Sequence, residues 1–127
     1  MNEQMLNETV YDKLGAENLR LLVDRFYDLV FANEQISHLF KTDKETIKEK
    51  QRLFLTQFLG GPPLYSQRYG HPQLRARHMP HPISEVDAAA WLSCMSEALH
   101  GLPIAQEIKD EIFKRLLPTA MFMVNSA

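Results

Sequence analysis

The stretch Ala16–Phe31, AENLRLLVDRFYDLVF, decides the fold. Its apolar residues fall at Leu19, Leu22, Val23, Phe26, Tyr27 and Val30, in steps of three, one, three, one and three. A helix turns once every ~3.6 residues, so these positions form one face and the charged residues another. The same spacing recurs along most of the chain, and no segment alternates with the period that a half-buried strand requires. The predicted architecture is all-α.

Working outward, Thr9 is placed to cap a short turn, VYDK, with Asp12 completing a loose capping box and Gly15 breaking the turn. Residues 1–8 read as a loose, polar N-terminal extension without the basic start and apolar middle of a signal peptide. Downstream, EQISHLF forms a short segment ending at Phe40. Thr42 or Asp43 can then cap a helix from Lys44 to Leu59, which Gly60-Gly61-Pro62-Pro63 stops, with glycine free to take a left-handed cap. A long loop carrying Tyr65 and Tyr69 is expected between Gly60 and Pro72. Pro72 suits the first position of a short helix through Arg75 and His78, ended by Pro80. Ser84 and Asp87 make a second capping box, opening a helix from Glu85 to about His100 that Gly101 and Pro103 close. The last helix is expected from roughly Ile104 to Val124, kinked or divided at Pro118.

A length of 127 residues suits one domain spanning the chain. The balance of 45% hydrophobic and 24% charged residues is that of a soluble globular protein. A net charge of −2 gives no support for a nucleic-acid partner. No apolar run approaches the length needed to cross a membrane. One cysteine, Cys94, allows no intrachain disulfide and suits a reducing compartment, so a cytoplasmic location is expected.

Three polar side chains interrupt the apolar stripes. Tyr27 lies in the buried stripe of its helix, and Gln51 lies on the inward face Ile47, Gln51, Phe54, Leu55, Phe58. Trp91 shares a face with Ala88, Cys94, Met95 and Ala98. A tyrosine in a stripe can send its hydroxyl to the surface, and a helical tryptophan can be plain core. A buried glutamine is less easily dismissed, because an unpartnered amide costs about 1–3 kcal/mol. Together the three supply a phenol, an amide and an indole on three different helices, donors able to converge on one buried polar ligand.

The stretch GHPQLRARHMPHPI, Gly70–Ile83, holds three of the five histidines. His71 and His81 adjoin prolines and read as loop residues. His78 shares a helical face with Leu74 and stands beside Arg75 and Arg77, cations that keep an imidazole neutral and able to bind a metal. A purely structural histidine fits the same position. A zinc site built from His71, His78 and His81 fits no standard spacing. Cys94 has no local nucleophile signature and reads as a small core residue, and Gly60-Gly61 ends a helix instead of opening one around phosphate.

These pieces coincide in one family. YDKLGAENLRLLVDRFYDLV, FLTQFLGGPPLYSQRYGHPQLRARHMPHPI, AAWLSCM and the terminal MFMVN together cover nearly the whole chain. The combination resembles the truncated haemoglobins, group II, and implies a truncated-globin fold, a two-over-two helical sandwich around haem b (iron protoporphyrin IX). On that resemblance His78 is the proximal iron ligand, Tyr27 the distal tyrosine and Trp91 the tryptophan that marks group II. Gln51 matches a further distal position, Phe40 packs on the porphyrin, and Phe54, Leu55, Phe58 and Leu74 supply apolar walls. Arg75 and Tyr65 match residues that meet the propionates. Ile47, one turn before Gln51, departs from the histidine of conventional globins and cannot donate a hydrogen bond, so it narrows the lateral access or swings as a gate. A shift of one residue would put the Thr46 hydroxyl there instead.

The function so implied is reversible binding of oxygen and other diatomic ligands, nitric oxide and carbon monoxide among them, in a strongly hydrogen-bonding distal pocket. Tight binding or redox chemistry on the ligand is expected in preference to oxygen delivery. One alternative is a haem enzyme with nitric oxide dioxygenase or peroxidase-like activity, served by an unidentified reductase. Another is a haem-free helical interaction module in which Tyr27, Gln51 and Trp91 merely pack.

Overall fold

Local side-chain caps set three of the helix starts. A computed structural model describes residues 8–40, 43–70 and 83–124. The Thr9 hydroxyl accepts from the Asp12 amide at 3.0 Å and the Asp12 carboxylate accepts from the Thr9 amide at 3.1 Å, opening α1, Val10–Leu14. Gly15 separates α1 from α2, Ala16–Ala32. A 3-10 turn, Ser37–Leu39, leads towards α3, Lys44–Phe58, whose cap is Asp43, accepting from the Thr46 amide at 3.1 Å. The reciprocal Ser84–Asp87 box, with bonds of 3.0 and 3.1 Å, opens α5, Glu85–His100. The final helix, α6, begins at Gln106 and runs to Phe122.

One stretch expected as loop is helical. Leu64–Tyr69, expected as loop, is a short helix, α4. Its first turn has no side-chain cap of its own. Gln57, on α3, supplies one: its carbonyl oxygen accepts from the Ser66 amide at 2.9 Å and its amide donates to the Ser66 hydroxyl at 2.8 Å. Pro62 and Pro63, which stop α3, thus also start α4, since proline is tolerated where a helix begins. At Pro118 a kink or a division of the last helix is expected. Pro118 sits inside α6 without dividing it. Pro118 and Lys114, one turn earlier, both lie on the exposed side, where water can satisfy the carbonyl that proline leaves unbonded.

No strand occurs among the described residues. The helix α2 packs against both α3 and α5, α5 packs against α6, α1 bridges α2 and α6, and α4 lies on α3. The shared core holds Leu19, Leu22, Phe26 and Val30 of α2 with Leu55 and Leu59, Met95, and Ile112 and Leu116, all at most 1% exposed. Gly60 turns the chain between α3 and α4 with φ +96°, and a Cβ there would lie 2.8 Å from the Thr9 Cβ. Only glycine meets both demands.

Phe26 is the centre of this packing. It is fully buried, and its ring meets those of Tyr27 and Trp91 edge to face, each at 4.9 Å. Phe26→Ala is expected to lower unfolding free energy by about 3–5 kcal/mol, measured by denaturant titration of the haem-free protein.

Candidate functional site

Where α2, α3, α5 and α6 diverge they leave a cavity of about 470 Å³. Its lining follows from helical geometry. On α3, Ile47, Lys50, Gln51 and Phe54 stand at the i, i+3, i+4, i+7 spacing of one face. On α6, Leu116, Thr119, Ala120 and Met123 repeat that spacing, Met123 just past the helix end. Tyr27 comes from α2, Leu39 and Phe40 from the 3-10 turn and its end, Tyr65 from α4, and Asp87, Ala88 and Trp91 from α5.

Most sequence-predicted site residues among those described meet here: Tyr27, Phe40, Ile47, Gln51, Phe54, Tyr65 and Trp91 all line the cavity. Ile47, not Thr46, faces it; Thr46 is exposed and its hydroxyl donates to the Asp43 carboxylate at 3.2 Å. Leu55 is a correction. It is fully buried in the core and does not line the cavity. Consecutive helical residues point ~100° apart, so Phe54 and Leu55 serve different layers. Phe58 also stays off the lining and stacks on Phe54 at 5.5 Å. His78, Leu74 and Arg75, with Arg77, His71 and His81, lie outside the described residues. Among the described residues no cluster of three or more histidine, cysteine or acidic side chains is arranged to hold a metal ion.

An aromatic chain joins one side of the cavity to the other. Trp91 meets Phe26, Phe26 meets Tyr27, and Tyr27 meets Phe40 at 5.9 Å, all near edge-to-face. Such pairs fix ring orientation as well as burying area. Tyr27 is 3% exposed, and its hydroxyl makes no hydrogen bond to any described residue. Burial pushes this phenol well above its ordinary range, so it keeps its proton. The Gln51 amide and Trp91 indole likewise donate to no described residue.

Among the lining residues that escaped the sequence reading, two are charged. Lys50 stands one position from Gln51, with its ammonium 5.0 Å from the Tyr69 ring centre. The i+3 spacing from Ile47 was the signal for it. Asp87 was legible only as a helix cap, yet it is 7% exposed and forms part of the cavity wall. Burial alone would raise its carboxyl. Hydrogen bonds from Ser84 and Gln35, with the nearby His38, outweigh that and hold it below the usual carboxylate range. Cys94, by contrast, is buried, and burial raises its thiol.

The chain matches known proteins over nearly all of its length. The family described as Bacterial-like globin covers residues 9–125. Group 2 truncated hemoglobin YjbI of Bacillus subtilis (strain 168) is 47% identical over 115 residues, 91% of this chain and 87% of that one. Two-on-two hemoglobin-3 of Arabidopsis thaliana is 39% identical over 119 residues, 91% of this chain and 68% of the relative. Among solved structures, the truncated oxygen-avid haemoglobin from Bacillus subtilis superposes with a TM-score of 0.88 at 46% identity, covering 92% of this chain and 99% of that one. The group II truncated haemoglobin from Bacillus anthracis gives 0.89 at 42% identity, covering 93% and 92%. Both the helices that enclose the cavity and the sequence that builds them are thus shared, and the chain belongs to the bacterial-like globins as a group II truncated haemoglobin, a family membership that implies haem.

Proposed function

We propose that this chain holds haem b in the described cavity and binds oxygen and other diatomic ligands there, for tight binding or redox chemistry on the ligand in preference to oxygen delivery. The observation that carries this reading is the Tyr27 hydroxyl: on a residue 3% exposed that lines the cavity, with no hydrogen bond to any described residue. No buried side-chain polar atom is left without a partner among the described residues, so this hydroxyl opens into the cavity, where a ligand acceptor can reach it. Mere packing would give no reason to keep it there.

The residues fit the group. Phe40, Phe54, Leu39 and Ala88 offer apolar walls to a flat macrocycle, and Lys50 offers a cation to a propionate. His78 is the proposed iron ligand, with Arg75 and Tyr65 as further propionate partners. Haem, when bound, supplies an iron with one coordination position open to a diatomic ligand. Tyr27, Gln51 and Trp91 donate to that ligand, and Ile47 restricts the way in. Each donor to a partly charged acceptor contributes about 1.5–3 kcal/mol, and about 1.4 kcal/mol is a tenfold change, so their combined effect is slow release.

Asp87 does not substitute for a distal base. Its carboxylate is already engaged by Ser84 and Gln35 and held in its weakly basic form, which favours ligand holding over proton-assisted peroxide cleavage. Absorption spectra of the protein after haem addition test the reading. A Soret band, and a stable oxygenated form after reduction, are expected; a spectrum identical to free haem would overturn it. Rapid mixing of the oxygenated protein with nitric oxide, with a reductase closing the cycle, separates holding from turnover.

A further inference from the structure

We infer that the turn Asn33–Gln35 is a clasp on α5, and that Asp87 is a positioning residue which, through this clasp, fixes Trp91 and Phe40 relative to Tyr27. The functional part of this inference rests on the reading that those side chains face a bound ligand.

Asp87 and Thr56 are the buried polar residues of the described core. Thr56 settles its hydroxyl locally, donating to the Arg52 carbonyl at 2.8 Å. Asp87 does more than its capping role needs. One carboxylate oxygen accepts from the Ser84 amide at 3.0 Å and completes the cap. The other accepts at 2.8 Å from the side-chain amide of Gln35, which lies 52 residues away on an exposed turn. A buried carboxylate must have such partners, and bonds to a charged acceptor are the strong ones.

The turn itself is pinned. The Gln35 backbone N–H donates to the Asn33 side-chain oxygen at 2.9 Å, and the Asn33 side-chain amide donates to the Cys94 sulfur at 3.8 Å. Asp87 and Cys94 are two helical turns apart on one face of α5, and Trp91 lies between them on that face. The clasp therefore grips α5 above and below the indole. On its other side it runs directly into Ile36, 1% exposed, and on to Phe40. Phe40 leads through Tyr27 and Phe26 back to Trp91. The contacts close a ring, so no member shifts alone.

Trp91 is the only tryptophan, so its emission in the haem-free protein, where no haem quenches it, reports the clasp directly. Gln35→Ala changes an exposed side chain and leaves the core intact. It is expected to shift the emission of the haem-free protein to longer wavelength and to speed ligand dissociation from the haem-loaded protein roughly two- to thirtyfold. Gln35→Glu, which sets two carboxylates together, should exceed it. Gln35→Lys, which restores a donor to Asp87, should return both readouts towards wild type, a rescue that lost stability alone would not produce. Asp87→Asn combined with Gln35→Ala should be no worse than Asp87→Asn alone. Unchanged emission in both Gln35→Ala and Gln35→Glu would overturn the clasp. Changed emission with unchanged dissociation would overturn its link to the ligand. Should the wild-type chain bind no haem, the functional reading fails, and the emission still decides the clasp.

Discussion

His78→Ala is expected to abolish tight haem binding while the helices persist. The imidazole is the proposed bond between chain and iron, and Arg75, a permanent cation with no lone pair to offer, cannot replace it at the metal. Removal leaves apolar contact and propionate pairing, which hold the macrocycle loosely and in no fixed orientation. Haem transfer to an acceptor protein, followed by the Soret band, measures the loss, and far-ultraviolet circular dichroism checks that the helices remain. Addition of free imidazole should partly restore the spectrum. Retention of a five-coordinate ferrous spectrum in His78→Ala would show that another side chain is the ligand.

The second large effect is expected at the distal side. Tyr27→Phe should accelerate oxygen dissociation by about ten- to a hundredfold, the consequence of losing one donor worth roughly 1.5–3 kcal/mol to a charged acceptor. The ring is retained, so its contacts with Phe26, Phe31 and Phe40 persist and stability should change little. Because burial raises the Tyr27 phenol above its ordinary value of 10.0, the hydroxyl remains a donor up to and beyond that pH. The Tyr27-dependent part of the rate should therefore stay flat from neutral pH into the alkaline range. A rise in dissociation centred on the ordinary tyrosine value would contradict this. Trp91→Phe should also accelerate release, and the double variant should fall short of the product of the single effects, because the two donors share one ligand and one aromatic chain. Flash photolysis and stopped-flow ligand replacement supply the rates. Equal rates in all three variants and the wild type would mean that these donors do not reach the ligand.

Much of the fold was legible because it is written within single helical turns. The Thr9–Asp12 and Ser84–Asp87 boxes each join residues three positions apart, and both formed as the sequence indicated. The stripe Leu19, Leu22, Val23, Phe26, Tyr27, Val30 is the buried face of α2. The cavity face of α3 was partly legible for the same reason: Ile47, Gln51 and Phe54 keep helical spacing. Leu55 was misassigned because α3 lies between two layers and has two inward directions, which periodicity alone merges into one.

What stayed hidden depends on partners far along the chain. The first turn of α4 is capped by a glutamine nine residues earlier, on another helix. Asp87 reads locally as a finished cap; its second partner lies 52 residues away. Cys94 reads as inert core, yet Asn33, 61 residues away, donates to it. The sequence by itself determined the all-α class, the starts of the locally capped helices and the polar residues set in apolar stripes, because capping and amphipathic burial act within a few residues. Only the tertiary structure decided that Tyr27, Gln51 and Trp91 face one cavity, and that Asp87 ties its wall together, because that convergence depends on how the separate helices pack against one another.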